Sequence, residues 1–216
     1  MKTDTQIQRD VLEELKWEPS LPAAGIGVEV NDGVVTLAGH VGSYAEKLAA
    51  QRAARRVAGV KTLAVEVDIR LIDTHTRNDT EIASAVDNAL RWSTVIPDGC
   101  INVTVEKGWI TLDGQVDWDY ERQSATKAVR YLMGVTGVSN QIEIKPKVSV
   151  SAVKADIEAA LKRRFHDETA AISVTVAGNQ VTLTGRVHSW PERKLAENAA
   201  WTAPGVYHVD DQIEVV

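Results

Sequence analysis

Apolar positions follow two rhythms along this chain, one near 3.6 residues and one of two, and the same succession of rhythms is written three times. Ile7, Val11 and Leu15 stand at helical spacing, as do Ile82, Val86 and Leu90 and then Val153, Ile157 and Leu161. This predicts a first amphipathic helix in each copy. Ile26, Val28 and Val30 then alternate with polar residues, matched by Ile101, Val103, Val105 and by Ile172, Val174, Val176, which predicts a half-buried strand. A second strand is spelled Val35-Thr36-Leu37-Ala38-Gly39-His40-Val41, Ile110-Thr111-Leu112-Asp113-Gly114-Gln115-Val116 and Val181-Thr182-Leu183-Thr184-Gly185-Arg186-Val187. A second helix is expected from near Ser43, Trp118 or Ser189. Its buried stripe is Ala50, Ala53, Ala54 and Val57, echoed by Ala125, Ala128, Val129, Leu132 and by Ala196, Ala199, Ala200, Ala203. A third strand runs from Val60 through Val67 and Ile69, with counterparts Ile142, Ile144 and Ile213, Val215.

The copies keep fixed offsets: Gly39 to Gly114 is 75 positions and Gly114 to Gly185 is 71, and every other landmark obeys the same two values. A period near 70 is too long for a solenoid repeat, so each copy reads as a small domain: residues 3–71, 78–146 and 149–216. Joining the second and third strands through a helix implies a right-handed crossover and parallel pairing. The expected fold is therefore α+β, three tandem αββαβ domains, each a three-stranded mixed sheet with two helices on one face and a threonine-bearing face open. Asn31-Asp32-Gly33, Glu106-Lys107-Gly108 and Ala177-Gly178-Asn179 suit three-residue hairpins ending in a left-handed residue, a role Asn179 can fill.

Punctuation completes the outline. Asp79 or Thr80, and Ser149 or Ser151, are expected N-caps of the first helices. Those helices should stop near Pro19 or Pro22 and before Pro97, while the third copy lacks the proline. Gly39, Gly114 and Gly185 mark a bend or a close helix-strand approach. Gly59, Gly134 and Gly205 each precede a valine at the turn into the last strand, and Glu46, Glu121 and Glu192 complement the positive end of the second helix.

The strand signature Val-Thr-Leu-x-Gly-x-Val, the following helix with its early glutamate, and the Gly-Val turn together resemble the BON family, the bacterial osmotically inducible protein and nodulation module. The resemblance covers nearly the whole chain in triplicate. It implies non-enzymatic binding modules associated with osmotic and envelope stress and with membrane or phospholipid contact. Some cytoplasmic relatives are linked to potassium, and the family offers no catalytic residues to carry over.

Charge narrows the partners. Residues 1–77, 78–147 and 148–216 carry net charges of −1, −3 and −2, a mildly acidic chain without a basic stripe. That disfavours nucleic acid. Met1 to Asp10 contains no apolar run, and no stretch approaches a membrane span, so the chain is expected to be cytoplasmic. The single cysteine, Cys100, takes the place of Gly25 and Ala171 and reads as a small buried filler.

No catalytic, cofactor or metal constellation emerges from the pattern. The five histidines fall at unrelated repeat positions, and His208 with Asp210 and Asp211, the nearest approach to a site, reads as a solvated edge. Six tryptophans against one phenylalanine are more informative. Trp17 and Trp92 share a position at the end of the first helix and are expected in the core or as a lid. Trp109 replaces Val34 and Gln180 on the open sheet face, and Trp201 replaces Arg55 and Arg130 on the solvent side of the second helix. These two, extended by Trp118 and Trp190, form the expected interface.

Two functions fit: a stress-associated adaptor presenting three modules to a membrane, lipid or protein client, or a cytoplasmic sensor that compacts around a cation such as potassium or a small ligand. The polar linker Asp73 to Asn78 should hinge and Lys145-Pro146-Lys147 should be stiff, so the second and third modules are expected to be the more tightly coupled pair.

Overall fold

The structure, a computed structural model, describes residues 2–71, 73–145, 153–164, 172–203 and 206–216. The first module runs α1 (Asp4–Trp17), β1 (Ile26–Asn31), β2 (Val34–Val41), α2 (Tyr44–Arg56) and β3 (Thr62–Ile69). The second runs α3 (Asp79–Arg91), β4 (Ile101–Glu106), β5 (Trp109–Val116), α4 (Asp119–Val129) and β6 (Gly137–Ile144). The third runs α5 (Val153–Arg164), β7 (Ile172–Ala177), β8 (Gln180–Val187), α6 (Trp190–Trp201) and β9 (His208–Val215). Each module is α+β with its own three-stranded mixed sheet, in the order β1-β2-β3, β4-β5-β6 and β7-β8-β9.

Register follows from the alternating pattern. Val35 faces Val30 across the antiparallel pair and Leu63 across the parallel one, and Leu37 faces Val28 and Val65. A slip of one residue would turn Val35 and Leu37 to the opposite face. In the first module those two pack with Ile7, Val11 and Leu15 of α1 and with Ala50, Ala53 and Ala54 of α2. Alanine lets α2 lie close to the sheet, and the same small residues are buried in α6 at Ala196, Ala199 and Ala200.

Hairpins and caps differ from expectation in informative ways. The β1–β2 loop has two residues rather than three, with Asp32 at φ 51° and Gly33 at φ 79°, and Lys107 and Gly108 repeat this at 51° and 77°. Two left-handed residues match the twist of the flanking strands. In the third copy the left-handed residue is Gly178 at φ 60°. The N-cap of α3 is Asn78, whose side chain accepts from the Glu81 N–H while the Glu81 carboxylate accepts from the Asn78 N–H. Asp79 therefore does something else. Its two carboxylate oxygens accept from the backbone N–H groups of Lys107 and Gly108, each at 2.8 Å, tying the helix start to the hairpin. Asp4 holds Asp32 and Gly33 in the same way. Ser149 and Ser151 lie outside the described residues.

Gly39 and Gly114 of the second strand mark a close approach to the backbone of the residue that precedes the first strand of their module, Gly25 or Cys100. Gly39, Gly114 and Gly185 sit at φ 134°, 141° and 139°, a region essentially reserved for glycine. A methyl group at Gly39 would overlap the carbonyl oxygen of Gly25, and one at Gly114 the carbonyl of Cys100. Gly59 and Gly134 are likewise left-handed, and Gly205 lies outside the described residues. Cys100 is half-buried rather than buried.

The chain divides into two compact units, one comprising residues 1–116 and 120–143, the other residues 117–119 and 144–216. Most of the second module thus shares a unit with the first, while its residues 117–119 fall in the other unit. In the linker between the first two modules, Asp73–His75 forms a 3-10 turn, and Arg77 donates from Nη1 to the carbonyls of Thr74 and Thr76 and from Nη2 to Met133 Sδ.

Candidate interaction surface

Trp17 and Trp92 are 82% and 88% exposed, so neither is core or lid. Each follows the last residue of the buried stripe, Leu15 or Leu90, by two positions, which is about 200° around a helix. That offset is legible in the sequence and points both indoles away from the sheet. Arg56 of α2 fixes the last turn of α1 by donating to Glu14 at 2.7 Å and Glu18 at 2.9 Å. Glu18 is held below the usual carboxylate range by the Arg56 hydrogen bond first and by Ser20 second. Trp92 caps α3, its N–H donating to the carbonyls of Asn88 and Leu90. Leu90, Ile96, Pro97, Ile101 and Val103, with the charged Asp87, Arg91 and Asp98, line a groove of about 410 Å³. Val95, in the same connection, is also exposed.

The other tryptophans behave differently from one another. Trp109 is 51% exposed on β5 and lies flat over Gly137 of β6, where a side chain would collide with its six-membered ring. The first and third modules have Thr62 and His208 at the place of Gly137, with Val34 and Gln180 opposite them. Tryptophan and glycine thus occur together as one cross-strand unit, an aromatic ring covering a bare backbone. Trp201 departs from expectation: it is only 8% exposed. Its indole folds back over the preceding turn, as long helical side chains do, with Nε1 donating to Glu197 Oε1 at 3.4 Å. Trp118 and Trp190 are half-buried at the starts of α4 and α6, and the Arg193 guanidinium stands 5.3 Å from the Trp190 ring centre.

Two of the three glutamates singled out by the repeat close their helix starts. Glu46 accepts from the Gly42 N–H at 2.8 Å and Glu192 from the His188 N–H at 2.9 Å, while Ser43 and Ser189 accept from the N–H groups of those same glutamates. The pair closes the helix start reciprocally. Asp211 accepts from Arg193 Nε at 2.8 Å and Asp210 from Gln212 Nε2 at 2.7 Å, so both carboxylates beside His208 are already engaged. Among the described residues no three metal-ligating side chains cluster, and no helix is long and apolar enough to cross a membrane.

The BON domain profile matches residues 3–70, 78–146 and 149–216. Osmotically-inducible protein Y of Escherichia coli (strain K12) is 25% identical over 146 residues, which are 66% of this chain and 73% of that relative. Among solved structures, CdsD of the type III secretion system of Chlamydia trachomatis aligns over 98% of this chain and 92% of its own, with 13% identity and a TM-score of 0.27. The periplasmic domain of the secretion protein PrgH from S. typhimurium aligns over 89% and 96%, with 15% identity and a TM-score of 0.24. Scores this low carry no argument about shape or activity. The expectation of a cytoplasmic chain is corrected: it rested on the absence of an apolar run and of a membrane span, and the lack of a spanning helix among the described residues assigns no compartment. On its three profile matches, the chain belongs to the BON domain family.

Proposed function

We propose that the protein is a non-enzymatic, stress-associated adaptor that engages an apolar client surface, a membrane or another protein, through Trp17 and Trp92. The carrying observation is that two almost fully exposed indoles occupy one repeat position in two modules. Exposed aromatic residues with a polar edge favour interfaces that are apolar on one side and wet on the other. The name of the Escherichia coli relative supports the link to osmotic stress.

Tryptophan emission and co-sedimentation of the full chain with neutral and anionic vesicles test this reading, with potassium, sodium and calcium salts in parallel. A blue shift and co-sedimentation that vanish on replacing both Trp17 and Trp92 by alanine are expected. With a net charge of −6, the overall charge of the chain gives anionic vesicles no advantage over neutral ones. A saturable response to one cation, with vesicles silent, would replace the adaptor by a cation sensor. Silence in every arm, followed by capture of a protein client that survives loss of both indoles, would remove Trp17 and Trp92 from the contact.

A further inference from the structure

Where the first two modules meet within their shared unit, positive charge gathers without an acidic partner. Arg52 of α2 donates from Nη1 to the Tyr131 hydroxyl at 3.3 Å. Arg130, the residue after α4, lays its guanidinium over the Tyr131 ring at 4.7 Å from the centroid. Among the described residues neither arginine pairs with a carboxylate, in a chain with 30 acidic and 24 basic groups. The Arg130 Nε is buried and has no hydrogen-bond partner. The C-terminal end of α4 accounts for a cation there, but it does not satisfy that donor. Tyr131 is half-exposed, and its phenol is held below its ordinary pKa, by the Arg52 hydrogen bond first and by the nearby charge of Arg130.

We propose that Arg52 and Arg130, set on either side of Tyr131, form a seat for a phosphate-class oxyanion that joins the first module to the second. Guanidinium groups offer paired donors matched to the oxygens of phosphate, and the phenol adds a third donor. An anion there supplies the counter-charge that both arginines lack, and it relieves repulsion between two cations brought to one ring. One arginine comes from each module, so occupancy would tighten the pair.

The test is a titration of the ¹⁵N-labelled full chain with sodium phosphate against sodium chloride at matched ionic strength, followed at the arginine Nε–H and Tyr131 resonances. A saturable, phosphate-specific shift is expected, weakened about tenfold in Arg52→Gln, the loss of one charge-assisted contact. Arg130→Gln should do the same. If that variant folds poorly, Arg52→Gln decides, because its side chain is exposed. A response to phosphate no different from chloride, or equal binding in Arg52→Gln and the parent, overturns the site. A parallel arm compares phosphatidylglycerol with phosphatidylcholine vesicles. Binding to the former alone, lost in Arg52→Gln, supports the seat and assigns the oxyanion to a lipid headgroup rather than free phosphate.

Discussion

Gly114 shows how one residue without a side chain can decide a strand. Its φ of 141° and the Cys100 carbonyl beneath it leave no room for a methyl group. Gly114→Ala is therefore expected to destabilise the second module by about 3 kcal/mol, from backbone strain and collision together, read as a lowered midpoint in urea unfolding. Glu18 makes a smaller, pH-dependent contribution. Its folded pKa lies below the unfolded one because Arg56 stabilises the carboxylate. The stability it adds is thus present above the unfolded pKa of about 4.5 and disappears as pH falls through the folded value. Thermal melts between about pH 3 and pH 6 should show that part of the acid sensitivity missing in Glu18→Gln. The effect is modest, as for surface pairs generally.

At the scale of elements, the amphipathic stripes and alternating strands specify the three sheets, but pairs across strands tune each one. Trp109 and Gly137 are such a pair. Gly137→Ala should destabilise the second module by driving the indole off the sheet. Because the cost arises from one collision, most of it should vanish in a Trp109→Ala background. A double-mutant cycle by chemical denaturation measures the coupling, with about 1 kcal/mol or more expected and additivity as the contrary result. The helix starts tell a related story. Asp79 stands where a cap is expected yet clamps the hairpin, as Asp4 does in the first module, since the preceding Asn78 and Thr3 already serve as caps. Local sequence shows an acidic residue at a helix start; only the fold shows that the hairpin N–H groups lie within its reach.

Over the whole molecule, the repeat places Trp17 and Trp92 in one compact unit, whereas the third module carries Arg163 at that position. If both indoles engage one surface, the second contact becomes intramolecular once the first has formed. Each single alanine variant should then weaken vesicle association by tenfold or more, and the double variant should abolish it, as judged by co-sedimentation. Independent, equal losses would mean that each module binds alone. Both variants should leave folding stability within about 0.5 kcal/mol of the parent, because the side chains are solvent-exposed.

The one-dimensional pattern by itself determined the αββαβ modules, their order and their buried faces, because periodicity of 3.6 and two reports which side of each element leaves water. It also carried the family resemblance. Trp17 and Trp92 were legible as exposed from their angular offset beyond Leu15 and Leu90, although their bulk and hydrophobicity argued for the core. Other features depend on residues far apart in the chain. Nothing near Trp201 in sequence distinguishes it from the exposed Arg55, and its burial depends on how the indole folds over the end of α6. The Trp109–Gly137 unit, the clamp from Asp79 to Lys107 and Gly108, and the approach of Arg52 to Tyr131 join positions 28 to 79 residues apart. Tertiary structure alone decided these, because such contacts depend on distances set by the packing of whole elements and not by the local preferences of any one of them.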